Sequence, residues 1–510
     1  MNSMRVKKSL FNSISNALIL VIRSVLLFAV RIVLVKTLGR TLLGVDSLFT
    51  NVLLVLSIAD SGISTAISFY LYKPLSDKNY DRVSILLSFY KKMYHILGLI
   101  VFIIGLLFIP FLRFIITESV ENIYLYYLIY LATTVVTYFI SYKECLLIAD
   151  QNQYKSSFIV GITYILMYVF RIVFLILVPN FAIFAIIQPI FIFIQRFLIN
   201  RYIDKLYPMV DFNRTEKLSE KEKKDIFKNI KSMFLNKVGY FLVNGSDNII
   251  ISSIPTLGLS AVAVYTNYYS IVGTIDNIIT RGLSGVTASF GDLAVNESKK
   301  TQENVFNIIS FVAFLVYGLF AIGFAFLLTP LIKICFGSGF NVSTEILLIV
   351  CINFYLVGMI KPLDVIKEAT GNYYQDRYVN LLQAFVNIVL SIILGKLYGL
   401  LGIVLATLIS FIVLPMWNRP YIAYKYIFSK SPKRFIITQI KYAISLLLVY
   451  AICWPIVSNL IISNKIVEFL IKVIIITMIY IILIMVIYHK SEEEKYLIKL
   501  VKNKAKVILK

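Results

Sequence analysis

The sequence predicts an all-α polytopic membrane protein with about 14 transmembrane helices, and three observations carry that prediction. Apolar residues make up 59% of the chain and charged residues only 15%, well below the roughly 25% charged share of soluble domains. Apolar runs recur from residue 10 to residue 489, and each is close to the ~20 residues a helix needs to cross a hydrocarbon core of about 30 Å. Lysine and arginine gather on alternate connections between these runs. A backbone in lipid must satisfy its own hydrogen bonds, and runs this long and continuous do not suit barrel strands.

Hydropathy places the spans at 10–36, 42–70, 85–112, 121–148, 156–178, 181–203, 232–254, 258–284, 303–332, 344–369, 376–398, 400–427, 435–459 and 464–488. With the N-terminus inside, the short turns at 37–41, 113–120, 333–343 and 460–465 lie outside. Lys73, Lys78, Arg82, the block 201–231 and the tail from Lys490 to Lys510 then lie in the cytoplasm. About 40 of the 50 basic residues fall on that side, as the positive-inside rule requires. The net charge of +23 is thereby assigned to anionic membrane lipids and not to nucleic acid. The expected location is a bacterial cell (plasma) membrane, with both termini cytoplasmic.

The first run follows Arg5, Lys7 and Lys8, holds Arg23 and Arg31, and lacks a small-residue cleavage site, so it reads as a span and not a signal peptide. Cys145, Cys335, Cys351 and Cys453 have no metal-ligand spacing, and His95 and His489 are the only histidines. No metal or other cofactor is expected. Walker, GxSxG and HExxH patterns are missing, so energy is expected from an ion gradient, the membrane potential or the substrate's own gradient.

An internal repeat organises the chain. A shift of 216 residues puts Thr50 and Asn51 on Thr266 and Asn267, and Asp60 on Asp276. A shift of 220 matches Pro110 with Pro330 and Arg113 with Lys333. A shift of 224 matches Lys143 and Glu144 with Lys367 and Glu368, Gln151 with Gln375, and Tyr154 with Tyr378. The expected domains are a six-helix bundle at 1–203, a cytoplasmic basic loop at 204–231 and a second six-helix bundle at 232–430. Two additional spans at 431–489 and a basic tail at 490–510 complete them. Six spans return the chain to its starting side, so the copies share one orientation, and transporters commonly run their substrate path between such repeats. Ser219 with Glu222, and Ser491 with Glu494, form capping-box patterns that predict short amphipathic helices on the cytoplasmic surface.

Charges inside spans cost roughly 2.5–3.5 kcal/mol on insertion scales and so need a reason. Arg23 and Arg31 share the first span, about 12 Å apart along the axis and about 80° apart around it. Arg171 lies mid-span in the fifth, and Asp60, Asp247 and Asp276 lie in the second, seventh and eighth. Under the 216 shift Arg31 falls on Asp247. Two readings stand. The charges pair across helices and lock the halves together, or the arginines line a cavity and hold an anionic group while the aspartates orient them. A guanidinium suits the second task, because its planar fork binds phosphate oxygens bidentately and keeps its proton. Ser57, Ser61, Ser64, Thr65 and Ser68 add a hydroxyl face to the second span, echoed by Thr280, Ser284, Thr287 and Ser289 near the eighth. Close helix packing and a hydroxyl-lined wall both explain it.

The stretch TLGRTLLGVDSLFTNVLLVLSIADSGISTAISFYLYKPLS resembles the opening of polysaccharide-biosynthesis flippases of Gram-positive bacteria. So do NGSDNIIIS, VYTNYYSIV and GNYYQDRYVNLLQAFVNIVLSIILGKLYGLLGIVLATLIS. These oligosaccharide flippases belong to a superfamily with multidrug-and-toxin extruders and lipid II flippases. The resemblance spans about residues 10–430. It implies two six-helix bundles working by alternating access on a lipid-linked oligosaccharide, carried on undecaprenyl pyrophosphate from the cytoplasmic to the outer leaflet. It also implies an arginine-lined cavity, for which Arg23 and Arg31 occupy the plausible place, and other polysaccharide-assembly enzymes as partners. One departure is the motif at 371–378, where the family commonly reads GLFWQDRY and this chain has GNYYQDRY, with Asn372 and Tyr373. A multidrug or cation extruder of the same fold would favour an acidic cavity, which the two arginines of the first span oppose. A membrane-embedded glycan polymerase would need a larger outer loop or an acidic catalytic motif. The expected protein is a transporter and not an enzyme.

Overall fold

The computed structural model describes the backbone of residues 2–499 except 57, 151, 217 and 371–377, and side chains except at 2–18, 55–62, 64–66, 228–229, 231–237, 240–241, 244, 284, 288 and 295 as well. Helices follow one another without strands among the described residues: α1 (Asn2–Leu38), α2 (Arg40–Leu56), α3 (Ile58–Ser76), α4 (Tyr80–Phe108), α5 (Leu112–Ile115), α6 (Ile123–Ile140), α7 (Glu144–Ala149), α8 (Gln153–Leu177), α9 (Phe181–Leu206) and α10 (Glu220–Ser253). Then come α11 (Gly258–Ser284), α12 (Thr287–Asn296), α13 (Lys299–Phe336), α14 (Thr344–Thr370), α15 (Val379–Tyr398), α16 (Leu400–Val413), α17 (Pro415–Ile422), α18 (Lys433–Ser458) and α19 (Lys465–Tyr488). Ten helical stretches among the described residues are long and apolar enough to cross a membrane. The other four expected spans correspond to α1, α2 with α3, α10 and α11, the first two of each copy of the repeat, where the membrane-embedded charges are concentrated. The chain is a multi-pass membrane protein.

Three details depart from the expected spans. The fourth runs over Ile123–Ala149 but changes to a 3-10 turn at Ser141–Lys143 before the short α7. The twelfth runs over Leu400–Phe428 with a break at Leu414, because Pro415 has no N–H to donate and its ring crowds the preceding turn. α10 begins at the Ser219–Glu222 capping box and runs unbroken to Ser253, so the expected surface helix and the seventh span are one helix.

The chain forms two compact units, residues 1–266 with 395–400, and residues 267–394 with 401–510. In the first, a core of α3, α4, α6, α7 and α9 residues also takes in Val210, Phe212, Leu218 and Ile226 from the central connection and the start of α10. That connection is docked, not free. Asp211 and Arg214 donate backbone N–H bonds to the hydroxyls of Ser84 and Ser88, each at 2.9 Å. Ion pairs Asp81–Arg214 and Arg82–Glu222 close over it. Hydrogen bonds from Ser219 hold the Glu222 carboxyl below the usual carboxylate range, with the charge of Arg82 adding to them.

In the second unit, α18 and α19 pack on α13. Tyr442 stacks on Phe314 with ring centroids 4.1 Å apart, and the Tyr480 hydroxyl donates to the Phe314 carbonyl at 3.1 Å. Each tyrosine buries its ring and still satisfies or protects its polar tip.

Candidate functional site

Arg23, Arg31 and Arg171 of the first unit lie on neighbouring helices, and local geometry explains how. Gly39 ends α1 at φ +88°, a conformation glycine adopts without a Cβ penalty, and its N–H bonds back to Val35. Arg31 and Ser47 stand eight residues to either side of that turn, about 12 Å from it along their helices. They meet: the Arg31 guanidinium donates to Ser47 Oγ at 3.2 Å, with Arg31 only 6% exposed. The charge of Asp46, the neighbouring residue, acts on the same guanidinium.

α1 also packs closely on α8. A Cβ at Gly161 would lie 2.3 Å from Ile19 Cγ2, so only glycine allows this approach. One turn further along each helix, the Arg23 guanidinium lies 3.7 Å from the Tyr164 ring centroid. Tyr168 sits within hydrogen-bonding reach of Arg23. Arg23 is therefore held by aromatic faces, a favourable cation–π arrangement that leaves its N–H edge available.

Arg171 is three residues beyond Tyr168 on α8 and 4% exposed. It donates to Gln188 Oε1 at 2.7 Å and stacks over the Phe184 ring at 4.1 Å. Its Nε has no hydrogen-bond partner among the described residues. Tyr130 of α6 joins the two sides, since its hydroxyl donates to Asp46 Oδ1 and lies within hydrogen-bonding reach of Arg171. The Arg23, Arg31 and Arg171 guanidinium groups and the Asp46 carboxylate thus share α1, α2, α6, α8 and α9 of one unit.

The expected aspartates go elsewhere. Asp247 is 3% exposed and accepts from the Tyr265 hydroxyl at 2.6 Å. Asp276, in the second unit, accepts from Tyr317 at 2.8 Å and from Lys361 at 3.4 Å. The side chain of Asp60 and residues 371–377, with Asn372 and Tyr373, lie outside the described residues. Sequence reasoning missed Asp46, Tyr130, Tyr164 and Gln188. A carboxylate six residues into α2 was a readable signal for the first, but phenols and an amide inside apolar helices carry none.

No protein-family model and no curated protein matches the sequence. Solved structures do match in fold. The lipid II flippase MurJ in an inward closed conformation gives a TM-score of 0.70 at 16% identity, covering 93% of this chain and 99% of that one. A multidrug resistance MATE family transporter of the MOP superfamily in its inward-facing conformation gives 0.64 at 16% identity, covering 79% and 98%. An outward-facing conformation of a MATE family transporter gives 0.54 at 16%, covering 79% and 94%. The chain has the fold these membrane transporters share.

Proposed function

We propose that this protein is a flippase that moves an undecaprenyl-pyrophosphate-linked oligosaccharide from the cytoplasmic to the outer leaflet of a bacterial plasma membrane, for surface polysaccharide synthesis. The guanidinium groups of Arg23, half-buried, and of Arg31 and Arg171, both buried, support this reading most directly. Buried cations need anions, and a diphosphate diester offers two negative charges and several acceptor oxygens to planar forks. The fold shared with a lipid II flippase and with transporters seen facing inward and outward supports alternating access. In this reading the two six-helix copies, 1–203 and 232–430, are the alternating halves, and the cytoplasmic loop 204–231 joins them.

The test is the lipid-linked intermediate pool of a strain deleted for the gene. Complete undecaprenyl-linked repeat units accumulating on the cytoplasmic leaflet, with surface glycan lost, is the expected result. The likeness to MATE transporters favours a second reading, a multidrug extruder. Unchanged glycan with raised sensitivity to cationic drugs would select it.

A further inference from the structure

We propose that Glu118 and Gly44 form a latch that closes the outer end of the first unit and parts when that end opens. The inference rests on the alternating-access part of the reading above and not on the identity of the cargo. α4 starts beside the docked central connection and runs 29 residues, about 43 Å, to Phe108. α10 starts in that connection and runs 34 residues, about 50 Å, to Ser253. The segments that follow, 117–118 and 258–260, therefore lie at the opposite end, the outer one in the topology expected from the basic residues. They belong to different copies of the repeat, and they meet there. Thr117 donates to the Ser252 carbonyl at 3.3 Å, and Glu118 Oε1 accepts from the Ser260 backbone N–H at 3.3 Å. A third contact is steric. A Cβ at Gly44 would lie 2.1 Å from the Leu259 carbonyl oxygen, a backbone atom that cannot step aside.

These contacts hold the end closed and still part readily. A helix ordinarily takes its N-terminal cap from the chain just ahead of it, but Leu257, the residue before α11, has no side-chain acceptor. The acceptor comes instead from Glu118, 142 residues away, and its negative charge is favoured at that end of the helix dipole. The first turn of α11 therefore has this acceptor only while the outer end is closed. Both hydrogen bonds are longer than the usual range and neither is fully buried, so water replaces them with little loss. Glu118 also lines an open cavity of about 480 Å³ with Arg113, Glu121 and Tyr124, where a released carboxylate enters solvent beside a guanidinium. Gly44 supplies the fit. With no side chain there, α2 and the start of α11 close to backbone contact over the fully buried Leu259, and no side chain must be withdrawn to separate them.

The experiment measures amide hydrogen exchange in the purified full chain in lipid nanodiscs, without cargo. Peptides covering 40–47 at the start of α2 and 254–262 at the start of α11 report the latch, and 80–90 at the start of α4 reports global stability. The proteins compared are wild type, Glu118→Ala, Glu118→Gln, Gly44→Ala and Glu121→Ala. Glu118→Ala removes the acceptor and is expected to speed exchange about tenfold in both 40–47 and 254–262, with 80–90 unchanged. Glu118→Gln keeps an acceptor oxygen but loses the charge, and is expected to speed both about threefold. Gly44→Ala wedges the contact apart and is expected to speed both at least about tenfold. Glu121→Ala, in the same cavity, is expected to leave all three peptides at the wild-type rate. Glu118 makes no hydrogen bond or ion pair to 40–47 among the described residues, so a coupled change there is a readout that a local cap does not produce. A Glu118→Ala effect confined to 254–262 would make Glu118 a cap only and overturn the latch. No change in either peptide, an equal change in Glu121→Ala, or a matching rise in 80–90 would overturn it as well. Should Gly44→Ala fail to fold, the two Glu118 variants decide. Because no cargo is present, failure of the latch here and failure of the flippase reading in the deletion strain are separate results.

Discussion

The two units treat buried charge differently. In the first, Arg23, Arg31 and Arg171 have a tyrosine face, a serine and a glutamine among their partners, and ion pairs such as Arg196–Glu144 stand elsewhere in the unit. In the second, carboxylates meet cations. Asp276 takes Lys361, and Asp364 takes Arg419 at 2.5 Å and Lys367 at 3.7 Å. The repeat gives a separate contrast, between its two copies and not between the two compact units. Asp46 and Ser47 shift onto Val262 and Ala263, Tyr130 onto Val350, and Arg171 onto Gly395. One copy carries charged and hydroxyl side chains at positions where the other is apolar or has no side chain. Matched ion pairs are a structural device, whereas a guanidinium fork has the shape to meet an external phosphate.

The largest expected effect breaks or secures that contrast. Arg31→Ala should cut glycan export about 100-fold or more, since hydrogen bonds to charged groups are worth ~1.5–3 kcal/mol each and more than one would go. Arg23→Ala should act in the same direction, with membrane insertion intact in both. Surface glycan per inserted protein is the measurement, and an equal loss in Lys361→Ala would erase the asymmetry between units.

Exchanging Arg31→Asp with Asp247→Arg sharpens the same point. Each single variant should lose export, and the double variant should stay inactive if Arg31 serves an anionic cargo. Recovery in the double would make the pair a structural lock.

A smaller effect is expected at the contact that places Arg23. Gly161→Ala drives a methyl against Ile19, and overpacking of this kind costs about 1–3 kcal/mol. The denaturant midpoint should fall and export should fall with it, because Arg23 moves off Tyr164. Tyr317→Phe, in the second unit, removes one hydrogen bond to Asp276 and should cost about 1 kcal/mol of stability while leaving export near normal.

The smallest effect is a pH dependence at the start of α10. Glu222 has a lowered pKa in the folded chain, from the Ser219 hydrogen bonds first and Arg82 second. Its stabilisation is therefore complete above the ordinary carboxylate pKa and is lost as pH falls through the lowered folded value. Amide exchange at the first turn of α10 should accelerate on acidification, and Glu222→Gln, which can still accept from Ser219, should flatten that response.

Much of the fold was legible in the sequence. Each expected span has its helix, because hydrocarbon solvent imposes a local rule on apolar length and backbone hydrogen bonding. The candidate site was only half legible. Arg23, Arg31 and Arg171 stood out because a charge in an apolar run is costly wherever it points. Their partners did not: Tyr130 is one phenol among 34 tyrosines, and its hydroxyl matters only because α6 turns it toward Asp46, 84 residues away. The central connection reads as a solvated basic loop, yet Ser84 and Ser88 bind its backbone from more than 120 residues away.

The sequence by itself determined that this is a helical, multi-pass membrane protein with a repeat and with arginines inside its first and fifth spans. Those properties follow from composition and periodicity, which each segment carries alone. Only the tertiary structure decided which groups meet those arginines, that Asp276 belongs to a lysine and a tyrosine, and that the surface helix and the seventh span are one. Partner choice depends on how each helix is rotated and how closely its neighbour can approach, and those quantities are set by packing between segments far apart in the chain.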